Sequence, residues 1–462
     1  MSLKFGTSGL RGLVTEMPPE TVAAYTAAFL AACDHGRALC LGRDLRPSSP
    51  RIAGDVSAAA RAMGVRVIDC GALPTPALAL AAARAGASAI MVTGSHIPAD
   101  RNGLKFYTPA GEITKTDETA ILRQMAAPPP APASVSGALE QDSAAAGRFT
   151  ERYVQAFGPQ ALSDRRIGLY AHSAVGRDCL ADILTGMGAE VIRLGWSDTF
   201  IPVDTEAVDA DTRTQLRAWA AEHRLDALVS TDGDSDRPML TDERGEVVPG
   251  DILGQITAQA LGAEAVVTPI SSNSGVARKG FETVSFTRIG SPFVIAGMQA
   301  ATGSVVGYEA NGGFLLGFAA QGPRGPLAPL LTRDCMLPIV VTLIAAGDGP
   351  LSARVAAEPA VFTAADRLQD VSIPLCQRLI SDLSGSAKAR KALLGRLKAT
   401  EAALDLTDGV RMTLTGGAVV HLRPSGNAPE LRLYVEADDR ATAQDLLARG
   451  MALLQADLGQ TP

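Results

Sequence analysis

Three aspartates at alternate positions, Asp232, Asp234 and Asp236, follow the apolar run DALVS after a single threonine, with Gly233 and Ser235 between them and Arg237 after. Clustered carboxylates repel one another unless a cation lies between them, and oxygen ligands of this kind select a hard divalent ion, Mg²⁺ or Ca²⁺. Counting from Asp232 places Glu243 at the twelfth position, as in an EF-hand. The sixth position, however, is Arg237 where that loop needs glycine, and a strand rather than a helix precedes it. Three carboxylates leave coordination positions over, which suits Mg²⁺ shared with a phosphate oxygen. A solvated acidic turn is the plain alternative.

A second loop, Thr93-Gly94-Ser95-His96-Ile97-Pro98, follows the run AIMV and leads to Asn102-Gly103-Leu104-Lys105. A serine hydroxyl on such a turn is a candidate nucleophile, activated by a base or by a metal and cations that stabilise charge on the transferring group. His96 is a poor base for Ser95 in extended chain, where adjacent side chains point apart, and the loop is not a G-x-S-x-G elbow. An ordinary polar turn with a capping serine reads equally well, and Lys105 alone is by default a solvated lysine. Arg423-Pro424-Ser425-Gly426-Asn427 through Arg432 sets two arginines around hydroxyl, amide and glycine. Guanidinium forks and backbone amides of this kind hold a phosphate dianion, unless the arginines simply pair with acidic neighbours at the surface. Glu309 and Asn311, two residues apart, suit a pair of sugar hydroxyls if the chain is extended there, although a generic turn also accounts for them. Gly6 to Gly12, with Arg11, suits an anion-binding nest or a merely flexible terminus.

The elements that position these loops repeat. A helical run from Thr21 to Cys33 precedes ALCLGRD; VRVIDCG, an alanine-rich helix from Pro76 to Ala85, and ASAIMVTGSH complete a first round. RIGLYAHSAVG, AEVIRLGW and DALVSTDGDSDR form a second round of short runs that read as buried parallel strands, and EAVVTPISSNSG, VSFTRIG and SVVGYEANGG form a third. In open parallel sheets ligands bind beyond the carboxyl ends of the strands, so the three loops are candidate walls of one site. The Pro/Ala segment from Ala127 to Gly137 reads as a linker. After Pro359 the pattern changes to helical sequence, alternating strands with a Gly416-Gly417 hairpin turn, and a helix from Ala441 to Leu454. The expected domains are 1–140, 141–250, 251–358 and 359–462.

The 462 residues carry a net charge of -7, which offers no general attraction to nucleic acid or to an anionic membrane. Six cysteines form neither a C-x-x-C pair nor a close-spaced disulfide framework, and no run reaches the roughly 18 apolar residues that span a bilayer, so a cytoplasmic chain with reduced thiols is expected. Walker A, G-x-G-x-x-G and H-E-x-x-H motifs are absent, which removes support for nucleotide kinases, nicotinamide enzymes and zincins.

In order, and across essentially the whole chain, FGTSGLRG, GRDLRPSS, TGSHIP with NGLK, DGDSDR, GYEANGG and RPSGNAPELR resemble the α-D-phosphohexomutase family, most of all its members that act on mannose phosphate. The resemblance implies an α/β fold of three similar mixed α/β domains around a central cleft plus a C-terminal TATA-binding-like α+β domain. It implies reversible phosphoryl transfer between hexose 1-phosphate and hexose 6-phosphate through a phosphoserine at Ser95 and a bound 1,6-bisphosphate, mannose phosphate being favoured. One Mg²⁺ on Asp232, Asp234, Asp236 and an oxygen on Ser95, and hexose 1,6-bisphosphate as activator, come with it. Arg237 matches the arginine beside that phosphate, Lys105 and Arg11 match acid/base and charge-stabilising residues, and His96 joins the catalytic set. Glu309, Asn311 and Arg288 fall on the sugar side, while Arg423, Ser425, Gly426, Asn427 and Arg432 fall on the loop for the non-reacting phosphate. The partners implied are small-molecule sugar phosphates.

This chain departs from many relatives in two loops. The sugar loop, G-E-x-S-G-H in those relatives, has Asn311 for the serine and Gly313 for the histidine, and Asn427-Ala428 replaces a Thr-Glu pair. A phosphoglucomutase, a phosphoglucosamine mutase and a non-catalytic sugar-phosphate binding protein are the competing readings.

Overall fold

The structure is a computed structural model that describes residues 3–6, 9–128, 131–425 and 429–459. Four principal sheets follow one another along the chain. The first runs, in spatial order, Lys4–Phe5, Leu10–Leu13, Arg101–Thr108, Ser88–Val92, Ala38–Arg43, Arg66–Ala72 and Leu139–Gln141, with Gly111–Glu112 folded back on Arg101–Thr108. The second orders Glu190–Trp196, Arg166–His172, Ala227–Thr231 and Pro238–Thr241, and the third orders Thr283–Thr287, Ala265–Pro269, Val305–Tyr308, Phe314–Leu316 and Leu330–Asp334. The fourth, antiparallel throughout, orders Phe362–Leu368, Leu431–Ala437, Val419–Pro424, Val410–Leu414 and Glu401–Asp405.

Parallel pairing accounts for only part of the first three sheets. In each, the strand that enters the chemistry-bearing loop is parallel to its inner neighbour, but the strand that leaves the loop returns antiparallel beside it. Val92 opposes Leu104, Thr231 opposes Pro238, Tyr308 opposes Phe314 and, in the fourth sheet, Pro424 opposes Leu431. The segments between the strands, 93–100, 232–237, 309–313 and 425–430, are all shorter than the dozen or so residues that a parallel crossover needs. Each loop is therefore a hairpin turn, with both ends fixed by cross-strand hydrogen bonds.

Helices cover the sheets close to where the alanine-rich runs placed them, at Pro19–Ala32, Thr75–Ala85 and Arg440–Asp457. Proline in the first turn supplies a preset φ where no amide donor is needed, and Gly86, at φ +57°, ends the Thr75–Ala85 helix in the left-handed region. One continuous apolar core joins the first three sheets, from Leu78 and Met91 through Leu169 and Val229 to Val306, Phe314 and Leu337. The fourth sheet has its own core around Val410, Leu422, Leu433 and Leu454. In the described part of the Pro/Ala segment, the Ala133 and Gly137 amides donate to the Ala62 and Arg61 carbonyls, both at 2.8 Å. The segment leads into Leu139–Gln141, which joins the first sheet and runs one residue past the expected boundary at 140. The Gly416-Gly417 turn forms between Val410–Leu414 and Val419–Pro424 as expected. All six cysteines are unpaired, and among the described residues no helix is long and apolar enough to cross a membrane.

Gly254, on the helix Gly250–Ala260, meets the Tyr308 ring so closely that a Cβ there would lie 2.4 Å from it. Gly254→Ala is expected to destabilise the third sheet's packing by about 1–3 kcal/mol, read as a lower thermal midpoint; an unchanged midpoint would contradict this packing.

Candidate active site

The serine turn is built around Arg46. Its guanidinium, fully buried, donates to four carbonyls of the loop: Ser95 at 2.8 Å, Ile97 and Pro98 at 2.6 Å, and Arg101 at 2.9 Å. Its Nε pairs with Asp44 at 3.1 Å, and the ring of Phe200, beside the second sheet, covers it with the guanidinium carbon 4.1 Å from the ring centre. Asp44 also accepts from Thr93 Oγ1 at 2.7 Å, which in turn receives the Ser95 amide at 2.7 Å. Gly94 is required here, since a Cβ would sit 2.6 Å from the guanidinium carbon. Held this way, Ser95 adopts φ +55° and is buried, with Oγ donating to Asp232 Oδ2 at 2.6 Å. That conformation overturns the extended-chain expectation for His96: the curled backbone brings Nδ1 to 3.3 Å from Ser95 Oγ. Burial, helped by Arg237 and Arg11, pulls His96 far below the usual imidazole range, so its ring is neutral.

The aspartate turn lies across from it. Asp232 Oδ1 accepts the amides of Asp236 and Arg237, both at 3.1 Å, and Ser235, at φ +55°, donates its amide back to the Asp232 carbonyl at 3.2 Å. This curl turns three carboxylates inward, with a ligand oxygen of each within 4.8 Å of the others. Lys105 is no surface lysine: buried, it bridges Asp234 Oδ2 and Asp236 Oδ2, both at 2.5 Å, and Thr75 Oγ1 donates to the same Asp234 oxygen at 2.6 Å. Burial and repulsion from the other two carboxylates drive Asp232 well above the usual carboxylate range. Burial pushes Asp234 and Asp236 the same way, but Lys105 beside Asp234 and Arg333 beside Asp236 outweigh it and hold both below the usual range. Asp234 Oδ1 and Asp236 Oδ1 are buried acceptors with no hydrogen-bond donor, an arrangement that fits a hard cation ligated by both. Glu243 is spoken for elsewhere, accepting from the Ser352 hydroxyl and amide, which removes the EF-hand geometry.

Arg11 lies on Leu10–Leu13 opposite Gly103, whose missing side chain leaves room for it. Burial, with Arg237 and Arg333 adding repulsion, pulls its guanidinium down to about 10, still cationic at neutral pH. Thr7 and Ser8 of that opening loop lie outside the described residues.

The turn that carries Glu309 and Asn311 is tight rather than extended, with the Gly312 amide donating to the Glu309 carbonyl at 2.9 Å. Asn311 Oδ1 accepts the Gly313 amide at 3.0 Å, so its oxygen shapes the turn, and Glu309 Oε2 accepts from Arg333 at 3.2 Å. Arg288 is exposed over the Phe293 ring, while the amide of its neighbour Ile289 donates to Asp408 at 2.9 Å at the junction with the fourth sheet. On the arginine hairpin, Arg423 stands directly across from Arg432, and Arg432 directly across from Arg367 on the neighbouring strand. Like charges in cross-strand register repel unless anions separate them. Asp408 takes Arg423 at 3.0 Å and Glu430 takes Arg432 at 3.4 Å, so both arginines do have acidic neighbours. The Ser425 amide donates to the Glu430 carbonyl at 2.8 Å; Gly426 and Asn427 lie outside the described residues.

Ser95, His96, Lys105, Arg11, the three aspartates and Arg237 thus share one cluster, and Glu309 joins it through Arg333. Arg46, Thr75, Arg333 and Arg367 were not singled out from the sequence. Arg46 does fall inside the quoted GRDLRPSS motif, whereas Arg333 follows an unremarked proline-rich loop and leaves no local signal.

Models of the phosphoglucomutase/phosphomannomutase family match at both ends of the chain, alpha/beta/alpha domain I over residues 2–130 and the C-terminal domain over residues 382–452. A phosphomannomutase from Sinorhizobium fredii is 46% identical over 99% of this chain and 100% of its own. One from Salmonella muenchen is 41% identical over 99% and 97%. Among solved structures, a phosphoglucomutase/phosphomannomutase family protein from Burkholderia thailandensis superposes with a TM-score of 0.79 over 98% of each chain at 20% identity, a likeness of fold.

Arg46→Lys keeps a buried cation but cannot span the same carbonyls. Because misplacing a reacting group by an ångström costs about 100-fold, turnover is expected to fall by roughly that factor with KM within about threefold; steady-state kinetics showing full turnover would contradict the cradle's role.

Proposed function

The chain belongs to the phosphoglucomutase/phosphomannomutase family, and from that membership we propose that its cleft interconverts mannose 1-phosphate and mannose 6-phosphate by way of a phosphoryl group carried on Ser95. The observation that carries the reading is a serine hydroxyl seated 2.6 Å from one carboxylate of a buried three-aspartate cluster. The mannose assignment is supported by the two full-length relatives above. The working division is 1–140, 141–250, 251–358 and 359–462, one hairpin turn from each unit facing the substrate.

In the forward direction a sugar hydroxyl attacks the phosphorus on Ser95, the P–Oγ bond breaks, and a 1,6-bisphosphate results. The sugar then turns end for end. Ser95 Oγ attacks the other phosphorus, the bond from that phosphorus to the sugar oxygen breaks, and the monophosphate leaves. Asp232 Oδ2 and His96 Nδ1 are acceptors beside the serine hydroxyl, while Lys105, which bridges Asp234 and Asp236, and Arg11 are the acid/base and charge-stabilising groups. Asp232, Asp234, Asp236 and an oxygen on Ser95 would hold one Mg²⁺, which spreads and neutralises charge on the phosphoryl oxygens. Arg237 belongs beside the same phosphoryl group. Glu309, with Asn311 and Arg288, serves the sugar; Arg423, Ser425, Gly426, Asn427 and Arg432 grip the non-reacting phosphate and orient either end of the sugar. A hexose 1,6-bisphosphate recharges Ser95 when its phosphoryl group is lost. Unpaired cysteines suit the reducing cytoplasm.

Ser95→Ala is expected to lower turnover at least about 1,000-fold while calorimetric Mg²⁺ binding survives; unchanged turnover would rule out the phosphoserine route. Among mannose, glucose and glucosamine 1-phosphates, mannose is expected to give the highest kcat/KM, and a faster rival would overturn the sugar assignment.

A further inference from the structure

Arg333 connects two turns that the sequence treats as separate. Its Nε and one terminal nitrogen both reach Asp236 Oδ2, at 3.1 and 2.7 Å, and the other terminal nitrogen reaches Glu309 Oε2 at 3.2 Å. The side chain is buried, with 3% of its surface exposed, and so are both carboxylates. Its placement is enforced from several sides. The strand Leu330–Asp334 slips register between Phe314 and Leu316, an irregularity of the kind that re-aims side chains. The next residue, Asp334, caps the following helix by accepting the Met336 amide at 2.9 Å, and takes the Tyr153 hydroxyl on its other oxygen. Across the turn, a Cβ on Gly313 would fall 2.7 to 3.0 Å from three carbons of Arg333, so a side chain at 313 and Arg333 in this position exclude each other.

The division of oxygens is specific. Arg333 claims Oδ2 of Asp236 and leaves Oδ1, a buried acceptor with no hydrogen-bond donor, for a cation, while its other end holds Oε2 of Glu309. A planar guanidinium holds both carboxylates in one fixed frame, which a single-point ammonium cannot do. A cation that draws charge from Asp236 weakens its hold on Arg333, and the guanidinium then binds Glu309 more firmly. We propose that Arg333 is a positioning residue that couples the metal turn to the sugar turn, so that Mg²⁺ on the aspartates tightens the grip on the sugar. The inference rests on the functional reading above, in which a monophosphate places its phosphate on the Arg423 and Arg432 hairpin and its free hydroxyl end at the metal turn. Coupling then does not arise from phosphate touching the metal, and by reciprocity the sugar phosphate tightens Mg²⁺ by the same factor.

The test is calorimetric titration of the dephosphorylated full-length enzyme with mannose 1-phosphate, without and with saturating Mg²⁺, and with MgCl₂ alone, for the wild type, Arg333→Lys and Arg333→Met. The wild type is expected to bind the sugar phosphate about tenfold more tightly with Mg²⁺, within the range usual for coupled sites. Both variants are expected to bind Mg²⁺ alone within about threefold of wild type through Asp236 Oδ1, yet to lose most of that tenfold factor, Arg333→Lys serving if Arg333→Met fails to fold. A folded variant that keeps the full factor overturns the inference, as does wild-type binding that Mg²⁺ leaves unchanged. Failure of the wild type to bind mannose 1-phosphate at all would overturn the functional reading with it.

Discussion

Three carboxylates on one turn, all withdrawn from water, set the terms for the rest of the molecule. Each pays a desolvation penalty and repels the other two, so the turn is tolerable only where cations and donors converge on it. They come from every neighbouring unit: Lys105 and Thr75 from the first, Arg333 from the third, and the turn's own amides from the second. Buried ion pairs of this kind add little stability on balance. What holds them together is the apolar core that runs without a break through the first three sheets.

The hairpin design explains how a flexible reaction is run by fixed groups. Ser95, the aspartates and Glu309 stand on turns whose ends are pinned by cross-strand hydrogen bonds and whose sheets share one core. The arginine hairpin belongs to a sheet with a separate core, joined to the third unit by contacts such as Ile289 with Asp408 and Asn273 with the Val361 carbonyl. On the proposed reading, a sugar that must reverse its ends between two transfers meets turns anchored in one shared core on one side and an arginine hairpin whose sheet has its own core on the other.

Motifs dense in glycine and polar residues were legible because the chemistry is written locally: the aspartate turn, the serine turn and the arginine hairpin each declare themselves within ten residues. The repeat of α/β rounds was legible from alanine-rich helices between short Val/Ile/Leu runs. The antiparallel returns were not, because periodicity does not reveal strand direction; only the shortness of the loops carries that information. His96 was misjudged because a left-handed φ at Ser95, which an Arg46 cradle enforces from about fifty residues away, cannot be read from a dipeptide. Arg333 was invisible for the same reason, its partners lying 97 and 24 residues distant.

Phosphorus NMR tests the central claim most directly. The 462-residue chain with Mg²⁺ and a trace of mannose 1,6-bisphosphate, given mannose 1-phosphate, should show the 1-phosphate signal replaced by that of the 6-phosphate, with no matching release of inorganic phosphate. An unchanged spectrum, or growth of inorganic phosphate in place of the 6-phosphate, would contradict transfer through a serine that gives one phosphoryl group to the sugar and takes the other in return.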